Sequence, residues 1–295
     1  MSDIKKITVI GAGTMGRGIA YVACSGGFDT VLQDISEDML HKSKLFVEES
    51  LKKAVERGLI KGDDAECTLA RLTITRELSA AVRHADFIIE AIPEIIEAKL
   101  ELFSKIDKIC PAETIFSSNT SALSITEMAA VTNRPQRFVG MHFFNPVHKM
   151  KLVEIVRGLE TSAKAIETTR AVASQMNKET VTIKESPGFI TSRINALIGN
   201  EAFYMLQEGI ASAGEIDKAM RLGLNHPMGP FEMVDLVGLD TRLNILKFLH
   251  KTLGEKYRPC PLMEQYVKAG RLGKKVGRGV YEYATKAEVS QVNNI

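Results

Sequence analysis

The sequence predicts an α/β domain on a mainly parallel sheet, followed by a smaller all-helical domain. Two observations lead there. Through residue 185, short β-branched runs alternate with amphipathic helical patterns, as strands linked by covering helices do. After Lys184-Glu185-Ser186-Pro187-Gly188, strand patterns almost vanish and apolar residues recur at helical spacing. The expected domains are therefore 1–185 and 186–295.

The elements follow in order. ITVI, residues 7–10, reads as the first strand and runs into a glycine-rich turn that opens a helix. TVLQ, 30–33, is the second strand, and a long amphipathic helix spans 36–57. Strands are expected at 72–75, 87–90, 114–117, 138–142, 152–156 and 180–183, with helices at 94–109 and 162–176. In the second domain Phe189, Ile190, Ile194, Leu197, Ile198, Phe203 and Leu206 mark the first apolar helix. Further helices are expected near 215–222 and 231–253, and the Gly-rich, basic stretch 270–279 as a loop.

Composition narrows the function classes. A chain of 295 residues with 45% hydrophobic and 25% charged residues can bury one large or two modest cores without disulfides. A net charge of +2 gives no general electrostatic case for nucleic acid. Cys24, Cys67, Cys110 and Cys260 lie far apart with no Cys-x-x-Cys, so we expect reduced thiols and no metal site. No apolar run is long enough to span a bilayer, and residues 1–10 lack a targeting pattern. The expectation is a cytoplasmic protein with no membrane partner.

ITVIGAGTMGRGIA, residues 7–20, carries G-x-G-x-x-G as Gly11, Gly13 and Gly16. The pattern alone is weak, but here it follows a strand and opens a helix. Gly11 permits the tight turn, Gly13 lets backbone approach a diphosphate, and Gly16 lets helix and strand pack closely. The helix N-terminus offers N–H groups and a positive dipole end to phosphate, so Thr14 and Met15 join the expected cofactor contacts. Asp34 follows the second strand, 23 positions after Gly11 (34 minus 11). A carboxylate there can accept from ribose hydroxyls and repels a 2′-phosphate, which predicts NAD over NADP. Its plainer reading is a loop or helix-capping aspartate.

Four further stretches matter together: SSNTSALSI (117–125), MHFFNPVHKMKLVEIV (141–156), SPGFITSRI (186–194) and HPMGPFEMVDLVGLD (226–240). With the glycine motif, and in this order over nearly the whole chain, they resemble the L-3-hydroxyacyl-CoA dehydrogenases. The shorter bacterial 3-hydroxybutyryl-CoA dehydrogenases are similar in length. The resemblance implies a Rossmann-like NAD-binding domain, a helical domain that forms a homodimer, and an acyl-CoA substrate. It implies NAD-dependent interconversion of an L-3-hydroxyacyl-CoA and its 3-ketoacyl-CoA. His142 then corresponds to the general base, which imidazole suits near neutral pH. Glu154 corresponds to the carboxylate that orients it; neighbouring strands can bring the two together.

By the same resemblance Ser121 contacts the reacting end of the substrate, and Glu94, Lys99, Ser121, Asn145 and Lys275 contact NAD. Ser50 and Arg57 match positions that contact CoA. They are seven apart (57 minus 50), hence on one face of the long helix. Plainer readings are a turn or helix cap for Ser121 and a solvated helix end for Arg57. The chain departs from the family where Ser192 replaces the asparagine of Pro-Gly-Phe-x-x-Asn-Arg, exchanging an amide for a shorter hydroxyl. Arg57 stands where lysine is more usual. Related scaffolds act on gulonate or carnitine without CoA, and a lens crystallin of the same kin shows that a non-catalytic role is a further alternative. His148, Lys149 and His226 remain without a role.

Overall fold

A computed structural model describes residues 4–283. The chain divides into two compact units, Met1–Ser186 and Pro187–Ile295.

In the first unit eight strands form one sheet in the order β3-β2-β1-β4-β5-β6-β7-β8. They are β1 (Lys6–Ile10), β2 (Asp29–Gln33), β3 (Leu72–Thr75), β4 (Phe87–Glu90), β5 (Ile115–Ser118), β6 (Phe138–Phe143), β7 (Leu152–Arg157) and β8 (Glu179–Lys184). Strands β1 to β6 pair in parallel, but β7 runs antiparallel to β6 and carries β8 with it. The sheet is thus mixed. The reversal has a simple cause: the connection 144–151 is too short for the crossover that a parallel neighbour requires.

Among the described residues of this unit there are seven α-helices: α1 (Thr14–Ser25), α2 (Glu37–Glu56), α3 (Gly62–Ala70), α4 (Leu78–Val82), α5 (Ile96–Asp107), α6 (Ile125–Ala130) and α7 (Ala163–Gln175). Ser36 and Ser162 cap α2 and α7, their hydroxyls accepting from Met39 N at 3.3 Å and Ala165 N at 3.1 Å. One core joins Ile7, Val9, Phe87, Ile89, Val139 and Ile155 of the sheet to Ile19, Ala23 and Val172 of α1 and α7. Burial on both faces explains why β1 and β4 read as continuous apolar runs. Short α3, α4 and α6 span too few turns to declare a period in the sequence.

The second unit contains α8 (Thr191–Gln207), α9 (Ala213–Gly223), α10 (Pro230–Val237), α11 (Leu239–Leu253) and α12 (Pro261–Lys268) around Phe203, Phe231, Leu246, Leu249 and Met263. The single helix expected at 231–253 is two. Gly238, at φ 103°, takes a conformation that no helix interior accepts, and it separates α10 from α11. The stretch 270–279, expected as a loop, holds a 3-10 turn at Lys274–Val276 closed by a Gly273–Arg278 bridge. Buried Asp235 accepts from Val280 N (2.9 Å), Tyr281 N (3.0 Å) and the Tyr283 hydroxyl (2.8 Å), which ties it down. Among the described residues no helix is long and apolar enough to cross a membrane.

Candidate active site

The glycine turn is shaped by close contacts. Gly11 sits at φ 101°, and a Cβ there would lie 2.6 Å from Ala91 O. A Cβ on Gly16 would lie 1.7 Å from Gly11 O, so only glycine lets α1 close onto the turn. At Gly13 a Cβ would meet nothing within 4 Å, and no side chain caps the helix that Gly13 begins. The first-turn N–H groups of Thr14, Met15 and Gly16 therefore stand at an uncapped helix start, which suits a diphosphate. Asp34 braces the turn: one carboxylate oxygen accepts from Ala12 N at 2.7 Å and the other from Ser36 N at 2.8 Å. A carboxylate has about four acceptor sites, so ribose hydroxyls can share it. These residues fit the nucleotide that the motif implies. Gly16→Ala is expected to lower stability by about 1–3 kcal/mol and to weaken NADH binding, measured by chemical denaturation and fluorescence titration; unchanged NADH affinity would contradict this account of the turn.

A polar network lies at the C-terminal ends of β4 and β5, the edge where parallel sheets bind ligands. Glu90 is fully buried. Its Oε1 accepts from Lys99 Nζ at 2.6 Å and from Ile92 N at 2.7 Å, and its Oε2 from the Ser118 hydroxyl at 2.5 Å. Burial pushes the Glu90 carboxyl up, against the pull of the Lys99 ammonium. Lys99 also pairs with Glu94 at 3.2 Å. Glu94 in turn accepts from the Thr120 hydroxyl, from Ser121 N at 2.9 Å and from the Ser121 hydroxyl at 3.4 Å. Glu94, Lys99 and Ser121 thus form one cluster, with the Lys99 ammonium packed inside it. The cap of α6 is Ser124, not Ser121. Glu90 escaped sequence reasoning; the available signal was a carboxylate ending an otherwise apolar strand.

On the reversed strand pair, His142 and Glu154 are register partners. His142 Nδ1 lies 2.7 Å from Glu154 Oε2. Glu154 is fully buried and His142 is 7% exposed. The Phe144 ring sits 4.5 Å from the imidazole, centroid to centroid, and Asn119 Oδ1 accepts from Phe143 N at 2.9 Å. A buried carboxylate on Nδ1 fixes the tautomer and leaves proton exchange to Nε2. Asn145 follows on the exposed connection, before a cis peptide to Pro146.

The remaining expected residues are divided between the two units. Ser50 donates to Phe46 O at 2.7 Å on α2, and Arg57 ends that helix, exposed. In the second unit Ser192 stands in the first turn of α8, half-buried. Lys275 Nζ lies 2.6 Å from both carboxylate oxygens of Asp240. Among the described residues no group of three His, Cys, Asp or Glu side chains could hold a metal ion.

Comparison with known proteins bears on this site. Residues 6–186 match the 3-hydroxyacyl-CoA dehydrogenase, NAD binding domain, and residues 188–283 the 3-hydroxyacyl-CoA dehydrogenase, C-terminal domain. The chain is 47% identical over 285 residues to a probable 3-hydroxybutyryl-CoA dehydrogenase of Bacillus subtilis, covering 96% of this chain and 99% of that one. It is 42% identical to the mitochondrial hydroxyacyl-coenzyme A dehydrogenase of Sus scrofa, over 95% of this chain and 91% of that protein. The crystal structure of (S)-3-hydroxybutyryl-CoA dehydrogenase from Ralstonia eutropha superposes with a TM-score of 0.93 at 42% identity, covering 96% of this chain and all of that one. With an uncapped glycine turn that suits NAD and both halves matched in order, the chain belongs to the 3-hydroxyacyl-CoA dehydrogenase family.

Proposed function

We propose that this enzyme interconverts a short-chain L-3-hydroxyacyl-CoA and its 3-ketoacyl-CoA, with His142 as general acid and base and Glu154 as the carboxylate that orients it. The observation that carries this reading is the buried His142–Glu154 pair at 2.7 Å. Bound NAD supplies the hydride acceptor. In the oxidising direction His142 Nε2 takes the proton of the 3-hydroxyl, and Glu154 stabilises the imidazolium so formed. In the reducing direction the imidazolium hydrogen-bonds the 3-keto oxygen and returns the proton. Glu154 stays ionised throughout, as the aspartate of a serine-protease triad does.

Ser121 hydrogen-bonds the reacting oxygen region, held by its contacts to Glu94. The N–H groups at Gly13, Thr14, Met15 and Gly16 and the Asp34 carboxylate hold the dinucleotide, with Glu94, Lys99, Asn145 and Lys275 as further contacts. Ser50 and Arg57 meet CoA. The first domain binds NAD, and the second, whose exposed Ile194, Leu222 and Leu224 favour a covering partner, serves substrate binding and forms a homodimer. The enzyme works in the cytoplasm.

The test is NADH oxidation with acetoacetyl-CoA. Ser192 refines it. A neutral hydrogen bond contributes about 0.5–1.5 kcal/mol, so Ser192→Asn is expected to change kcat/KM by about tenfold or less, in either direction. An inactive but folded Ser192→Asn protein would show that Ser192 does not face the substrate as proposed.

A further inference from the structure

Glu90 closes β4, and the segment 119–121 leaves β5 beside it. This one residue reaches that segment by three routes. Glu90 Oε2 accepts from the Ser118 hydroxyl at 2.5 Å, and Ser118 Oγ accepts in turn from Thr120 N at 3.2 Å. The Glu90 backbone carbonyl accepts from Asn119 N at 2.8 Å, and Asn119 Oδ1 accepts from Phe143 N, next to His142. The third route is ionic. Glu90 Oε1 holds Lys99 Nζ at 2.6 Å, Lys99 meets Glu94 at 3.2 Å, and Glu94 accepts from Ser121 N and the Ser121 hydroxyl. Lys99 is thus one ammonium between two carboxylates.

The two carboxylates are unequal. The Glu90 side chain is fully buried, while that of Glu94 is 41% exposed. Charges attract more strongly where water is excluded, so Lys99 is drawn inward to Glu90. The weaker pull left for Glu94 lets that carboxylate keep its contacts to Thr120 and Ser121. A buried ion pair adds little net stability, because taking both charges out of water offsets their attraction. An apolar pair of similar volume would pack α5 on β4 as well. What the charges add is a fixed place for the Lys99 ammonium, and through it for Glu94.

We propose that Glu90 is a positioning residue for the substrate: by holding Lys99 inward it sets Glu94, which aims the Ser121 hydroxyl at the reacting oxygen. With Glu90 neutral, the Lys99 ammonium has Glu94 as its nearest carboxylate, and Glu94 leaves Ser121 to meet it. Glu90 acts from full burial, through other side chains. This role deepens the acyl-CoA reading and rests on its Ser121 contact.

The test is a double-mutant cycle on the full-length enzyme: wild type, Glu90→Gln, Ser121→Ala and both together, with acetoacetyl-CoA at saturating NADH. Glutamine keeps the shape of Glu90 and can still accept from Ser118. Each single variant should lower kcat/KM by about three- to tenfold. The double variant should lose no more than Ser121→Ala alone, because Glu90 works through that hydroxyl; a merely structural role would make the losses multiply. Multiplied losses, or wild-type kcat/KM from Glu90→Gln, would overturn the role of Glu90 and leave the Ser121 contact standing. Wild-type kcat/KM from Ser121→Ala would overturn that contact and the role of Glu90 with it. No turnover of acetoacetyl-CoA by wild type would overturn the acyl-CoA reading and everything built on it. Should Glu90→Gln not fold, Glu90→Gln/Lys99→Met takes its place in the cycle, since it leaves no buried charge unpaired. The same loss, absent in the Ser121→Ala background, is then expected, and wild-type kcat/KM or multiplied losses would overturn the role of Glu90.

Discussion

His142→Gln is expected to lower kcat for acetoacetyl-CoA reduction by about 10²–10⁴-fold, the usual contribution of a positioned acid–base group. Glutamine fills much of the imidazole's volume and still presents an amide N–H to Glu154, so the buried carboxylate keeps a partner. What it cannot do is carry a proton to and from the 3-oxygen. The loss should therefore fall on kcat, while NADH affinity, set by the glycine turn and Asp34, stays close to wild type. Steady-state kinetics beside an NADH fluorescence titration and a thermal melt separate these effects. A variant with near-normal kcat would remove His142 from the chemistry.

Glu154→Gln should be nearly as damaging, with a loss of about 10²–10⁴-fold by the serine-protease parallel. Glu154 is fully buried beside the imidazole, where its charge is weakly screened and stabilises the imidazolium more than water would. Glutamine keeps the shape and removes the charge. It can also turn its amide N–H toward Nδ1, holding the imidazole in the tautomer whose Nε2 carries the proton and cannot accept one. The expected outcome is a folded protein that binds NADH normally and turns over slowly. Retention of more than about a tenth of wild-type kcat would show that His142 works without this carboxylate; one triad-like partner contributes far more than that elsewhere.

The parts of the fold set by local pattern were legible. Among the described residues the eight strands announce themselves as short apolar or β-branched runs, and α2 and α7 begin at the serines whose hydroxyls cap them. The reversal of β7 was hidden, because strand direction is written in connection length and not in the strands. The break at Gly238 was hidden because apolar spacing continues across it from α10 into α11, although the glycine marks the place. The pairing of His142 with Glu154 follows from register: both are in strands, and the antiparallel pair sets them directly opposite. Glu90 stands out at the end of an apolar strand, but its network was hidden for the opposite reason. Its partners Lys99 and Ser118 come from different elements, nine and 28 residues away, and only the folded sheet brings their charges and hydroxyl together. The Lys275–Asp240 pair joins residues 35 apart by the same kind of tertiary contact.

A CoA-dependent dehydrogenase in which His142 moves the proton is tested most directly by NADH oxidation with acetoacetyl-CoA, beside free acetoacetate and gulonate, for wild type and His142→Gln. Rapid turnover of the CoA ester alone is expected, with a loss of about 10²–10⁴-fold in the variant. Turnover of the free acids in place of the ester would contradict the substrate, and wild-type rates from His142→Gln would contradict the base.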